Sequence, residues 1–173
     1  MRILVYGAGV LGCNLARDFF KAGKDVTLLA RGKWAETIKT NGLCIKNYVL
    51  PMKSTVRVPV VTELASEDEY DVIFVAARYM QVATILDALR ANKSKNVVFL
   101  GNNVQPEKLV TALPEKNVMF AFASSAGHRE QDRIVSVDLK KITIGQLRGV
   151  QSNEQLIQKI FARTGYKVTY EPN

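Results

Sequence analysis

Gly7-Ala8-Gly9-Val10-Leu11-Gly12 sets three glycines at the spacing GxGxxG near the start of the chain. The spacing has a mechanical meaning where it joins a strand to a helix. Gly7 permits the tight turn, Gly9 lets the backbone approach a pyrophosphate, and Gly12 lets the helix pack close to the strand. The helix start adds free N–H groups and a partial positive charge, so Gly7, Ala8, Gly9, Val10, Leu11 and Gly12 together are assigned to a dinucleotide cofactor. Nineteen residues after Gly12 stands Arg31, followed by Gly32 and Lys33. A carboxylate at this place would accept hydrogen bonds from the 2′-hydroxyl of NAD and repel a 2′-phosphate. No acid lies between Thr27 and Lys33. Arg31, with Lys33 nearby, therefore points to NADPH, because a guanidinium holds phosphate through paired, charge-assisted hydrogen bonds. The competing readings are a ligand-free glycine turn and a solvated loop cation.

Ligands of open parallel sheets lie outside the carboxyl ends of the strands. That rule directs attention to Ala76, Ala77 and Arg78 with Gln81, and to Gly101-Asn102-Asn103. The adjacent amides, Asn102 above all, can bond ribose or the nicotinamide side, although asparagine is also favoured in turns for backbone reasons. Other chemistry finds less support. His128 reads as an exposed loop histidine, Ser124-Ser125 lacks the GxSxG elbow of a hydrolase, and Cys13 reads as a small core residue. No carboxylate pair or His/Cys cluster has metal-ligand spacing, so no metal is expected.

The elements that must position these residues alternate. Arg2 to Tyr6 is an apolar run that reads as a buried strand. Leu11, Leu15 and Phe19 place one helical stripe over Val10 to Ala22, Gly23 stops it, and Asp25 to Ala30 is a second strand. A helix over 33–41, short strands over 43–48 and 55–61 broken by Pro51 and Pro59, and a central strand over 71–76 follow. Val82, Ile85, Leu86 and Leu89 predict a helix over 78–90. Strands at 96–100 and 118–123 flank a helix opened by Pro106. Ile134 to Asp138 and Lys141 to Gly145 alternate as an antiparallel hairpin would. Ser152-Asn153-Glu154-Gln155 has the form of a capping box, and Tyr166 to Tyr170 is a last strand. The expectation is one α/β domain over 1–173, a Rossmann-type doubly wound, mostly parallel sheet with a late antiparallel addition.

Composition agrees with a compact soluble domain. The chain has 173 residues, 47% hydrophobic and 23% charged, long enough for a core without disulfide or metal staples. No apolar run approaches the ~20 residues of a membrane span, and Cys13 and Cys44 have no CxxC spacing, so a cytoplasmic setting without membrane partners is expected. The net charge of +8 raises nucleic acid as a partner, but no basic block or recognition module accompanies it, and no nucleic acid is expected.

Ile3 to Gly12, Asp25 to Gly32, Asp71 to Val82 and Thr143-Ile144-Gly145-Gln146-Leu147 together resemble the N-terminal domain of the ketopantoate reductase (2-dehydropantoate 2-reductase) family. The resemblance runs over almost the whole chain. It implies that Arg31 contacts the 2′-phosphate of NADPH, that Arg78 and Gln81 contribute near the cofactor, and that Asn102 matches the central Asn of the family's Gln-Asn-Gly. Here the surrounding residues are Gly101 and Asn103. It further implies an oxidoreductase of pantothenate biosynthesis that reduces a 2-keto acid, with a homodimer left open. The family's catalytic lysine lies in a helical C-terminal domain that residues 1–173 do not include. No catalytic residue is therefore assigned, and the isolated domain is expected to be inactive. The alternative is an NADP(H)-binding sensor or regulatory module without catalysis.

Overall fold

The computed structural model describes residues 1–147 and 152–171. In chain order the elements are β1 (Arg2–Tyr6), α1 (Val10–Lys21), β2 (Asp25–Leu29), α2 (Gly32–Asn41), β3 (Leu43–Asn47), β4 (Lys53–Val56), β5 (Val60–Val61), β6 (Val72–Val75), α3 (Tyr79–Val82), α4 (Leu86–Ala91), β7 (Asn96–Leu100), α5 (Pro106–Ala112), β8 (Asn117–Arg129), β9 (Ile134–Gly145), α6 (Glu154–Phe161) and β10 (Lys167–Glu171). A short 3-10 turn, Ala83–Ile85, joins α3 to α4.

One sheet carries all the strands, in the order β4-β3-β9-β8-β7-β6-β1-β2-β5, with β10 also paired to β9. From β5 to β8 every neighbouring pair is parallel. Strands β1, β6 and β7 are apolar without alternation because helices cover both faces. Helices α1, α2 and α6 bury one face around Phe19, Phe74 and Phe161, whose rings meet at 5.3–5.8 Å. The other face is covered by α3, α4 and α5 through Val82, Leu89 and Leu109. Among the described residues no helix is long and apolar enough to cross a membrane.

The fold class is as expected, and several local readings need correction. The segment read as one strand over 55–61 is two. β4 pairs with β3 at one edge of the sheet and β5 with β2 at the other, with Pro59 between them, where a proline cannot donate to a ladder. Residues 134–138 and 141–145 do not form a hairpin with each other. They are one strand, β9, interrupted by the positive φ of Lys140, and its antiparallel partner is β8. β8 runs on to Arg129, well past the expected end at 123, so His128 lies in a strand and is exposed there. The helix expected over 78–90 is broken at Ala83–Ile85. Helix α6 begins one residue later than the proposed capping box: Asn153 is its N-cap, and Ser152 Oγ merely accepts from the Glu154 amide at 3.3 Å.

Candidate cofactor site

The glycine turn closes between the end of β1 and the start of α1. Gly7 has φ +113°, and a side chain there would bring its Cβ to 2.6 Å from the Ala76 carbonyl oxygen. At Gly12 a Cβ would stand 1.9 Å from the Gly7 carbonyl oxygen. The packing of the chain itself thus requires both residues. Gly9 differs: its φ is −83°, which any residue adopts, and a Cβ there would meet no atom of the described residues within 4 Å. What Gly9 keeps clear is outside the protein, beside the Val10, Leu11 and Gly12 amides that open α1 and have no carbonyl one turn back. A pyrophosphate fits that space and those donors.

Arg31 is the N-cap of α2, just past β2, and exposed. Its Nη2 donates to the phenol oxygen of Tyr6, and its guanidinium carbon lies 5.6 Å from the centre of the Tyr6 ring. Tyr6, the last residue of β1, therefore aims Arg31 by a neutral acceptor and an aromatic face. Neither Arg31 nor Lys33 forms an ion pair among the described residues. Three residues on, the buried indole of Trp34 donates from Nε1 to the Ala8 carbonyl oxygen at 2.9 Å. That bond fixes the middle of the glycine turn to α2. Cys13 lies under this contact; burial pushes its thiol up to about 12, against smaller opposing pulls from Trp34, Arg129 and Arg17.

The remaining residues lie along the carboxyl ends of β6 and β7. Arg78 and Gln81 are exposed at the start of α3, where Gln81 Oε1 accepts from the Arg78 amide at 3.3 Å. Gln81 is thus engaged in capping that turn. After β7, Gly101 at φ +105° turns the chain, and Asn103 Nδ2 donates to the Gly101 carbonyl oxygen at 3.0 Å. Of the two amides, Asn103 braces the turn, and Asn102 is exposed at the rim of a cavity of about 520 Å³. Phe120, Phe122 and Leu147 supply the apolar wall of that cavity. Among the described residues no group of three metal-ligating side chains comes together.

Sequence reasoning missed Tyr6, Trp34 and Arg129. The available signals were an aromatic at the last position of β1 and the single tryptophan of the chain, three residues after Arg31. For Arg129 there was none, because only the course of β8 brings it near.

A parallel sheet in the order β5-β2-β1-β6-β7-β8, with a glycine turn opening α1, defines a dinucleotide-binding domain of the Rossmann class. Residues 3–149 match the family described as ketopantoate reductase PanE/ApbA, and the chain belongs to that family. It is 23% identical to the 2-dehydropantoate 2-reductase of Lactococcus lactis, covering all of this chain and 57% of that protein. The crystal structure of 2-dehydropantoate 2-reductase from Geobacter metallireducens superposes with a TM-score of 0.84 at 19% identity, over 99% of this chain and 58% of the other. D-mandelate dehydrogenase, in a ternary structure with NADH and anilino(oxo)acetate, superposes at 0.82 and 19% identity, over 100% and 57%. The chain spans 39–57% of the length of the curated relatives it matches.

Proposed function

We propose that this chain is the NADPH-binding part of an oxidoreductase that reduces a small 2-keto acid, with ketopantoate as the first substrate to test. The carrying observation is the division of labour among the glycines: the chain needs Gly7 and Gly12 for its own packing, whereas Gly9 is bare only toward an approaching ligand. The choice of NADPH over NADH rests on Arg31, which Tyr6 holds and which no carboxylate among the described residues neutralises. The nicotinamide cofactor, when bound, supplies the hydride.

In this reading the chain's own residues bind and orient. The Val10, Leu11 and Gly12 amides receive the pyrophosphate at the positive end of α1, and Arg31 receives the 2′-phosphate. Arg78 and Asn102 stand at the ends of β6 and β7, where the far half of the cofactor must pass. The cavity beside Asn102, with Phe120 and Phe122, offers one wall against which a small carbonyl substrate is shielded from water. Family membership and the names of the similar proteins support the 2-keto acid.

Titration calorimetry with NADPH and NADH tests the cofactor. A charge-assisted contact of roughly 1.5–3 kcal/mol predicts at least about tenfold preference for NADPH, removed by Arg31→Ala. Equal affinity for both cofactors in the unaltered protein overturns the assignment. Ketopantoate is then titrated into the NADPH-loaded chain and followed by ligand-observed NMR. Failure of every 2-keto acid tried to contact the loaded chain removes the substrate half of the proposal.

A further inference from the structure

β8 is paired to β7 only over Asn117 to Ala121, and its remaining residues continue past the end of that strand alongside β9. There Asn14 of α1 donates to Ser125 Oγ at 3.0 Å and to Ser136 Oγ at 3.1 Å, which pins the extension across the helix. The last residue of β8 is Arg129, and its guanidinium carbon stands 5.5 Å from the centre of the Trp34 ring. Trp34 is the residue whose N–H holds the Ala8 carbonyl. One indole therefore separates Arg129 from the middle of the glycine turn.

Among the described residues the charge of Arg129 is uncompensated. The acids next to it in sequence are engaged elsewhere: Glu130 lies 3.7 Å from His128 and 3.5 Å from Arg133, and Asp132 lies 2.7 Å from Arg133. Arg129 itself forms no ion pair among the described residues, and it is exposed. An exposed guanidinium thus lies over a buried ring, close enough to the first turns of α1 for its charge to act on Cys13. Two positive features without a counter-charge repel each other unless an anion lies between them. Contact with the indole restrains the guanidinium while its exposure leaves donors for a ligand, and a guanidinium suits paired bonds to phosphate.

We infer that Arg129 is a phosphate-binding residue for the dinucleotide, delivered to the glycine turn by the antiparallel half of the sheet and positioned by Trp34. The inference rests on the dinucleotide reading above. The phosphate is either the pyrophosphate or the 2′-phosphate, and the chemistry of recognition is the same.

NADP+, NAD+ and 2′,5′-ADP are titrated into the unaltered protein and into Arg129→Gln, Arg129→Ala, Arg129→Lys and Arg31→Ala. Binding is followed by calorimetry and by emission of Trp34, the single tryptophan of the chain and the direct neighbour of the proposed contact. Arg129→Gln is expected to bind about tenfold more weakly and Arg129→Lys to recover part of the loss. Arg129→Gln keeps the stem over the indole and decides the question should Arg129→Ala lose its fold. A loss shared by NADP+ and NAD+ places Arg129 on the pyrophosphate, and a loss confined to NADP+ and 2′,5′-ADP places it on the 2′-phosphate. Unchanged affinity for all three, with Arg31→Ala still losing NADP+, overturns this inference and leaves the cofactor reading standing. An unaltered protein that binds none of the three overturns both.

Discussion

Near the N-terminal end of α1 stand Arg31, held against Tyr6, and Arg129, held against Trp34, and neither meets a carboxylate among the described residues. Two turns further along the same helix Arg17 and the nearby Lys140 are both engaged. Arg17 holds Asp18 through two hydrogen bonds of 2.8 and 2.9 Å, and its Nη2 lies 3.7 Å from Asp138. Lys140 approaches Asp18 at 3.3 Å, and Tyr166 donates to Asp138 at 2.6 Å. The carboxylates of Asp18 and Asp138 are buried, while Lys140 reaches Asp18 from a half-exposed position. Burial works against the Arg17 charge, but its bond to Asp18 and the charges of Asp18 and Asp138 outweigh that and hold it protonated. Paired charge joins α1 to β9, with Tyr166 bonded to it from just before β10, and unpaired charge is left where an anionic ligand is to arrive.

The largest effect should come from breaking the closed cluster. Asp18→Ala leaves Arg17 and Lys140 facing each other without their shared acid, and removal of one partner of a buried pair typically costs about 3–5 kcal/mol. Arg31→Ala removes an exposed cation and should change stability by less than about 0.5 kcal/mol. Urea unfolding of the two variants measures the contrast directly. Similar losses for both would mean that the open charges are structural as well.

A smaller and more selective contrast lies within the glycine turn. Gly12→Ala drives a Cβ to 1.9 Å from the Gly7 carbonyl oxygen, and overpacking of this kind costs about 1–3 kcal/mol or more in stability. Gly9→Val meets no atom of the described residues within 4 Å of its Cβ, so the fold should survive while NADPH binding falls at least about tenfold. Thermal unfolding and NADPH titration of the pair separate the two roles. Normal NADPH binding by folded Gly9→Val would remove the phosphates from this turn.

The open end of α1 was largely legible in the sequence, and the closed end was not. Gly7, Gly9, Gly12 and Arg31 follow one another within a single β-α-β unit, so local spacing carries their meaning. Arg17, Asp18, Asp138, Lys140 and Tyr166 come together from three distant segments, and a charged residue alone in sequence looks the same whether it is solvated or paired. The strand errors have a similar origin. Residues 53–61 supply pairs to opposite edges of the sheet, and 134–145 alternate regularly on either side of Lys140, so local patterning could not show which partner each would meet. Proximity of Arg129 to the glycine turn depends on the length of β8, a property of its pairing with β9 that no local pattern carries.

Cys13 lies on α1 between the two clusters, fully buried, with Arg129 and Arg17 both acting on it. Burial is the larger influence, and it holds the thiol neutral up to about pH 12, where an unfolded chain would lose the proton near 9. The sign follows from proton binding. Between these two values the folded protein keeps a proton that the unfolded chain releases, so the contribution is fully present below pH 9 and is lost as pH rises toward 12. Stability should therefore decline above pH 9, approaching about 1.4 kcal/mol per pH unit, from this one group. Tyr166 acts in the same direction, its hydroxyl pushed up by burial and by Asp138, but an unfolded tyrosine ionises only near 10. Comparison with Cys13→Ala between pH 8 and 10 isolates the thiol, because Tyr166 contributes alike to both proteins. Chemical denaturation over that range should show the stability gap between the unaltered protein and Cys13→Ala shrinking as pH rises. A gap that stays constant would mean that the thiol ionises in the fold as readily as outside it, and that the cations at the two ends of α1 outweigh burial at its middle.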